Sequence, residues 1–378
     1  MGFSDIIGHC KEIEMLKRSI ESNLLAHAYL FTGPDGVGKK KVALNFAKVL
    51  NCESGRSDPC DSCSSCKRIS HGTYVDVQIF APKGLSRQLK VEQIEQFISQ
   101  ANLKAFEGRK KVFIILDADR ANVSFQNKIL KILEEPPDDT IIILITSNSN
   151  SLLPTIRSRC RILNFSALSI ADVEKILLQS KVEKQKATTA ALLSEGQVAK
   201  AFQYLDPDKM KHRKTLCSII LSDKRVPVEM AISTANEIEN YLKNKRDAEI
   251  DSELKRAKSD PAWASMDQSG HDQVEEDIKA DAEGRFRQNA FEILNILELF
   301  YRDMLILKET RREDLILNRD FKNDLIKSAE SVAYEDIISK LKIIESTRES
   351  IDRNIKVGNC LEILFLRLTE TSSIMEVL

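Results

Sequence analysis

Apolar residues follow two regimes along the chain. Up to about residue 165, short and almost continuous apolar runs alternate with amphipathic stretches. Residues 28–32, 76–80, 112–116 and 141–146 are the clearest runs, each patterned like a strand buried on both faces. Between them, residues 91–104 and 122–133 space their apolar positions as helices do, the second stopped by Glu135-Pro136-Pro137. This alternation predicts an α/β domain built on a parallel sheet. After about residue 166 the strand signals vanish. Ser169 opens a helix with Asp172 at its third helical position, and the following stretch reads as a small helical domain. From Pro207 onward the pattern stays helical, and residues 286–308 and 352–368 carry wide apolar stripes that need a packing partner.

Composition narrows the function classes. Hydrophobic residues make up 42% and charged residues 30%, the balance of a globular protein, and 378 residues call for two or three domains. A formal net charge of -1 excludes a chain that grips nucleic acid over its whole surface, so any DNA contact needs a local patch or partner subunits. The N-terminal residues lack the basic start and apolar run of a signal peptide, and no run approaches the length of a membrane span. A cytoplasmic protein with no membrane association, its eight cysteines kept as thiols, is the expectation. Residues 245–284 stand apart: almost half are charged, with both signs mixed, and Pro261, Gly270 and Gly284 interrupt them. They read as a solvated helical insertion or a flexible excursion.

The first apolar run leads straight into Gly33-Pro34-Asp35-Gly36-Val37-Gly38-Lys39-Lys40 and then into a helical pattern. This is G-x-x-x-x-G-K in the strand–loop–helix context of a phosphate-binding P-loop. Glycines let backbone N–H groups converge on a polyphosphate, the helix N-terminus adds partial positive charge, and Lys39 reaches the outer phosphates. The next position calls for a hydroxyl to help hold Mg²⁺, yet Lys40 stands there. The run ending at Asp117 supplies a carboxylate for the metal's water shell. Ala118 follows where a glutamate would polarise the attacking water, and Asp119 lies one residue too far along. Two separate defects predict slow or absent hydrolysis, while Gly33, Gly36, Val37, Gly38, Lys39, Lys40 and Asp117 remain a degenerate nucleotide-binding set.

Cys52, Cys60, Cys63 and Cys66 form C-x7-C-x2-C-x2-C in a stretch rich in Ser, Asp, Gly and Pro. Four closely spaced thiolates make a closed tetrahedral Zn²⁺ site of the structural kind, which would supply folding energy where apolar material is scarce. A redox C-x2-C is the rival reading, and His71 a substitute ligand or a plain surface residue. Cys10, Cys160, Cys217 and Cys360 are isolated and read as buried or inert. Lys39-Lys40-Lys41 and Arg109-Lys110-Lys111 are basic clusters, solvated or facing a DNA backbone. Arg157 and Arg159 follow the fourth apolar run.

His27-Ala28-Tyr29-Leu30-Phe31-Thr32-Gly33, Gly36-Val37-Gly38-Lys39 and Leu153-Pro154-Thr155-Ile156-Arg157-Ser158-Arg159-Cys160 together resemble the bacterial sliding-clamp loader subunits of the AAA+ class. Phe3-Ser4-Asp5-Ile6-Ile7-Gly8 is similar to the segment that opens those proteins near the adenine. The resemblance implies an α/β P-loop AAA+ domain over 1–165 with a zinc module at 52–66. It further implies a small helical lid domain over 166–206 and an all-α C-terminal collar domain over 207–378. It implies a heteropentamer with gamma/tau and delta subunits that places the sliding clamp on primed DNA, the DNA being reached through the assembled complex. Gamma/tau motors keep Lys-Thr, Asp-Glu and an arginine in the third lid helix; here Ala199 stands at that last place, with Lys200 beside it. The implied role is a stator that holds ATP or ADP weakly or unhydrolysed, if at all. It would lend Arg159 in trans as an arginine finger, a contribution worth about 10³–10⁵ in rate. A gamma/tau-like ATPase motor with an unusual Mg²⁺ site is the alternative.

Overall fold

The computed structural model describes every residue except 1, 56, 83–88, 90, 102, 222–226, 260, 265 and 370–378, and the side chains of 91, 92, 261 and 262. The chain divides into two compact units, Met1–Gln203 and Tyr204–Leu378.

The first unit is built on a parallel sheet of five strands in the order β2-β3-β4-β1-β5. These are β1 (Ala28–Thr32), β2 (Val77–Phe80), β3 (Lys111–Ile115), β4 (Thr140–Thr146) and β5 (Arg161–Asn164). Side chains alternate across it as the pleat dictates. Tyr29, Phe31, Val112, Ile114, Ile141 and Ile143 form one core with α1 (Cys10–Glu21) and α2 (Lys39–Asn51). Ala28, Leu30, Phe113, Ile115, Ile142 and Leu144 form the other, with α4 (Val91–Ala101), α5 (Val123–Glu134) and α6 (Pro154–Arg159). With both faces covered, β1, β3 and β4 can be apolar almost throughout. The short α3 (Ser64–His71) follows α2, and α7 (Ile170–Gln179), α8 (Lys184–Leu193) and α9 (Val198–Gln203) complete the unit. Ser169 caps α7 by accepting from the Asp172 N–H at 3.1 Å.

The four strands read from the sequence are present to within a residue at each end, and β5 is the addition. It pairs in parallel with β1 at the sheet edge, and only Leu163 of its residues is buried. A half-exposed edge strand lacks the apolar run that betrays a central one.

The second unit is helical throughout the described residues: α10 (Pro207–Ile220), α11 (Val228–Ser259), α12 (Pro261–Ala264), α13 (Gln268–Thr310), α14 (Lys322–Ser331), α15 (Tyr334–Asp352) and α16 (Val357–Thr369). The stripe at 286–308 lies on α13, which packs against α11, α14 and α15. The final stripe starts later than the sequence suggests, because α15 ends at Asp352 and Asn354 turns left-handed before α16. The charged residues 245–284 occupy the end of α11, α12 and the start of α13. There α11 and α13 run antiparallel and are tied by Arg285–Glu249 at 2.8 Å, Arg246–Glu283 at 3.2 Å and Lys258–Glu275 at 3.4 Å. Inside the unit, Arg213 is fully buried, forking onto both carboxylate oxygens of Asp320 at 2.6 and 2.8 Å and donating to Asn318. Asp303, also buried, accepts from the backbone N–H groups of Leu317 and Asn318. No described helix is long and apolar enough to cross a membrane.

Candidate nucleotide site and metal centre

The loop between β1 and α2 is held from both sides. A Cβ on Gly33, whose φ is +142°, would lie 1.9 Å from the Phe165 carbonyl oxygen, so no other residue fits. Gly36, at φ +71°, meets Ala199 at the start of α9, whose N–H donates to the Gly36 carbonyl at 3.1 Å. Ala199 therefore faces the loop, while Lys200 turns to Glu195 at 2.7 Å. Gly38 caps α2 with open space in front of it, and Val37 is buried with its carbonyl 2.9 Å from His9 Nε2.

Lys39 is buried, and its ammonium donates to the carbonyls of Gly33 and Pro34, the second at 2.8 Å. Burial pushes its pKa down, opposed by the charges of Asp35, Asp117 and Asp119. Lys40 is exposed at the start of α2. Asp117 is left-handed at φ 47° and caps a short 3₁₀ turn, Ala118–Arg120, in which Ala118 is buried. The strand ends at Ile115, two residues before Asp117, so Asp119 does not continue its extended geometry. Instead Asp119 accepts from the Thr146 hydroxyl at 2.6 Å, and its charge reaches Lys39. Arg159 closes α6 and sits 2.8 Å from Glu134 at the end of α5, with its other nitrogen donating to the Thr155 carbonyl. Arg157 turns the other way, onto Asn150 at 3.1 Å.

Cys52, Cys60, Cys63 and Cys66 converge with all sulfurs within 4.8 Å of one another. Zinc–thiolate bonds of about 2.3 Å in a tetrahedron place sulfurs roughly 3.8 Å apart, so the donor set fits a metal such as zinc. The spacing works because three of the four thiols are each met by a following backbone N–H. Cys60 donates to Cys52 Sγ, Cys63 to Cys60 Sγ and Cys66 to Cys63 Sγ, each at 3.4 Å, and the last of these is the N-cap of α3. The Ser62 hydroxyl and the Cys63 N–H lower the Cys60 thiol to about 6, while burial raises Cys66. No cysteine is in a disulfide. His71 is an exposed surface histidine bonded to the Lys67 carbonyl, outside the cluster. Burial pushes the Cys160 and Cys217 thiols up to about 12, whereas Cys10 is exposed.

Several residues that organise the site carry no sequence signal. Asp58, in the loop between Cys52 and Cys60, accepts the N–H groups of Phe3 and Ser4 at 2.7 and 3.3 Å and lies 3.4 Å from Lys17. Lys48 pairs with Asp61 at 2.7 Å, so the cysteine module is fastened to both the N-terminal segment and α2. Of the basic clusters, Lys39 and Lys111 are buried; Lys111 donates to the carbonyls of Gln100, Leu103 and Lys104.

Residues 8–169 match the family model described as DNA polymerase III, delta subunit. Over 191 residues the chain is 39% identical to DNA polymerase III subunit delta' of Bacillus subtilis (strain 168), spanning 50% of this chain and 57% of that protein. It is 36% identical over 177 residues to subunit tau/gamma of Haemophilus influenzae, spanning 46% of this chain and 25% of that one. The chain thus covers well under two thirds of these relatives' lengths. A gamma subunit-related protein of Thermotoga maritima aligns over 94% of this chain and 99% of its own, at 16% identity and a TM-score of 0.44, a likeness too slight to argue from. Residues 8–169, which carry the P-loop between β1 and α2 of the parallel sheet, are thus similar to the delta' and tau/gamma subunits of DNA polymerase III.

Proposed function

We propose that this chain is the delta prime-like stator of a DNA polymerase III clamp loader, lending Arg159 to a neighbouring ATPase while hydrolysing little or no ATP itself. The observation that carries this is the combination at the nucleotide site. Lys40 stands where a metal-holding hydroxyl is needed, Ala118 is buried where a glutamate would face water, and Asp119 is engaged by Thr146. Arg159, by contrast, stands at the end of α6 on a half-exposed Glu134, an ion pair weak enough for a partner's phosphate to displace.

On this reading the partners are gamma/tau and delta subunits in a heteropentamer, the sliding clamp, and primed DNA through the assembled complex. ATP or ADP would bind through the N–H groups around Gly36 and Gly38, drawing Lys39 from the loop carbonyls. A zinc ion in the four-cysteine cluster would be structural, since all four positions are thiolates and none is left for water. The helices of 166–206 would act as lid and those of 207–378 as collar.

The match to tau/gamma supports a second reading, an ATPase motor with an altered Mg²⁺ site. Steady-state ATP hydrolysis by the purified chain beside Lys39→Ala separates the two. Equal rates support the stator, and turnover abolished by Lys39→Ala moves the chain to the motor class. In the reconstituted loader, Arg159→Ala should lower DNA-stimulated hydrolysis by about 10³-fold or more at the one site it completes.

A further inference from the structure

β2 forms one edge of the sheet, and among the described residues no strand pairs with its outer side. Toward β3, the Asp76 carbonyl accepts from the Val112 N–H and the Phe80 carbonyl from the Leu116 N–H, both at 2.8 Å. Main-chain groups alternate in direction along a strand, so those of Val77 and Ile79 point away from β3. The Val77 N–H turns back to the Tyr74 carbonyl at 3.2 Å. Side-chain amides take two neighbouring carbonyls, Gln78 that of Val75 at 3.3 Å and Gln93 that of Ala81 at 2.8 Å. The Ile79 N–H, the Ile79 carbonyl and the Val77 carbonyl have no such partner among the described residues.

A groove of about 590 Å³ follows this edge. Val77 packs in the α2 core and Phe80 in the α4 core, so Ile79, 39% exposed, lies on the α2 side. There Leu44 of α2 and Ile69 of α3 line the groove with it, while Gln93, Gln96 and Gln100 of α4 line the opposite side. No charged side chain is among the lining residues. Edges that avoid pairing carry charge or proline, and β2, Val-Gln-Ile-Phe, has neither. The other edge, β5, opens on Arg161, which holds the Ser19 hydroxyl at 2.9 Å.

We infer that the outer edge of β2 accepts an added strand, an extended and uncharged segment of a protein partner with apolar residues at every second position. The groove selects that chemistry. The guest's apolar residues place their main-chain groups on Ile79 and Val77 and their side chains on Leu44, Ile69 and Ile79. Its intervening residues, serine, threonine or glutamine, meet the α4 amides. An ionised side chain would lose water here without gaining a counter-charge, and a phosphate backbone would meet no lysine or arginine.

This inference does not depend on the loader reading. The probe is a capped synthetic heptapeptide, Ser-Val-Thr-Ile-Gln-Val-Ser, added to the full chain while amide exchange is followed residue by residue. In the chain alone the Ile79 N–H should exchange fast and those of Gln78 and Phe80 slowly, because β3 holds the latter two. The peptide at about 1 mM should slow Ile79 exchange by about 10-fold or more. Ile79→Pro deletes the outward N–H without touching the ladder to β3 and should bind about 10-fold more weakly, whereas Ile79→Val should bind nearly as the parent. A peptide N-methylated on its Val and Ile residues should lose binding to the parent chain, which decides the matter even if Ile79→Pro does not fold. Slow Ile79 exchange in the chain alone, no slowing by the peptide, or equal binding of the N-methylated peptide overturns the inference. A parent chain that sediments as a dimer, and an Ile79→Lys chain that sediments as a monomer, would assign the edge to a second copy and overturn the peptide partner.

Discussion

Both units hold nearby loops with buried charge, Asp303 on the Leu317 and Asn318 N–H groups being the second unit's case, but they differ in their longest ties. In the first, each buried ionic group holds a nearby loop: Lys39 its own P-loop, Lys111 the segment just before it, and Asp76 the same segment from 32 residues away or less. In the second, Arg213 reaches Asp320 and Asn318 across more than a hundred residues and joins α10 to the segment before α14. The difference teaches where stability is stored. Loops fastened to a sheet can be lost one at a time, whereas a long-range polar tie in a helical unit is lost together with the packing around it.

The largest effect should come from the cysteine module, where little apolar material lies between Cys52 and Cys66 to order the chain. Metal binding at such sites is worth on the order of 10 kcal/mol and is inseparable from folding. Chelation, or Cys66→Ser, should release zinc and melt the first unit's proteolytic and hydrogen-exchange protection around residues 52–71, leaving the second unit's protection intact. Protection of the module that survives complete metal removal would sink the assignment.

Next is Arg213. Replacing it with Ala takes the Arg213 donor from Asp320 and Asn318 and strips the cation from beside the Phe300 and Phe321 rings. Breaking a buried pair of this kind costs about 3–5 kcal/mol. Denaturant unfolding followed separately in the two units should show the loss in the second alone. An equal loss in the first would erase the contrast between them.

The same contrast governs what the sequence makes legible. β1, β3 and β4 announce themselves because burial on both faces demands apolar runs, and Gly33 and Gly36 do so because their backbone geometry excludes side chains. The four cysteines are legible because metal ligands must be close in the chain to be close in space on so short a loop. Lys111 is not, since a lysine opening a strand looks like any solubilising charge until its Nζ is seen on three carbonyls. Where Asp119 turns is not legible either, since that depends on whether the strand continues, and here β3 ends at Ile115 and a left-handed Asp117 follows. Arg213 and Asp320 lie beyond any local pattern.

A smaller effect tests the loop ties through pH. Burial would raise the Asp76 pKa, but the N–H groups of Glu107, Phe106 and Gly108 and the charge of Lys111 outweigh it and hold it below the usual carboxylate value. A depressed folded pKa gives stability that is fully present above the unfolded value of about 3.9 and is lost as pH falls through the folded one. Asp76→Asn should therefore destabilise the first unit at neutral pH by about 1–3 kcal/mol. The gap to the parent should close below about pH 4. A gap that stays constant from pH 7 to pH 3 would show that the charge of Asp76 is not what holds the loop.

The smallest effect distinguishes a local cap from both kinds of tie. Ser169 accepts one N–H at the start of α7, and its hydroxyl also donates to Asp172 at 2.7 Å on an exposed helix end. Ser169→Ala should cost about 1 kcal/mol, while Ser169→Asp, which keeps an acceptor there, should recover part of it despite the nearby Asp172 carboxylate. Because no buried charge is involved, the loss should be independent of pH between 6 and 8 and confined to exchange protection in α7. A loss that spreads to α8 and α9 would mean that the helices after the sheet melt as one piece, so that even a surface cap in this unit acts at long range, as Arg213 does in the other.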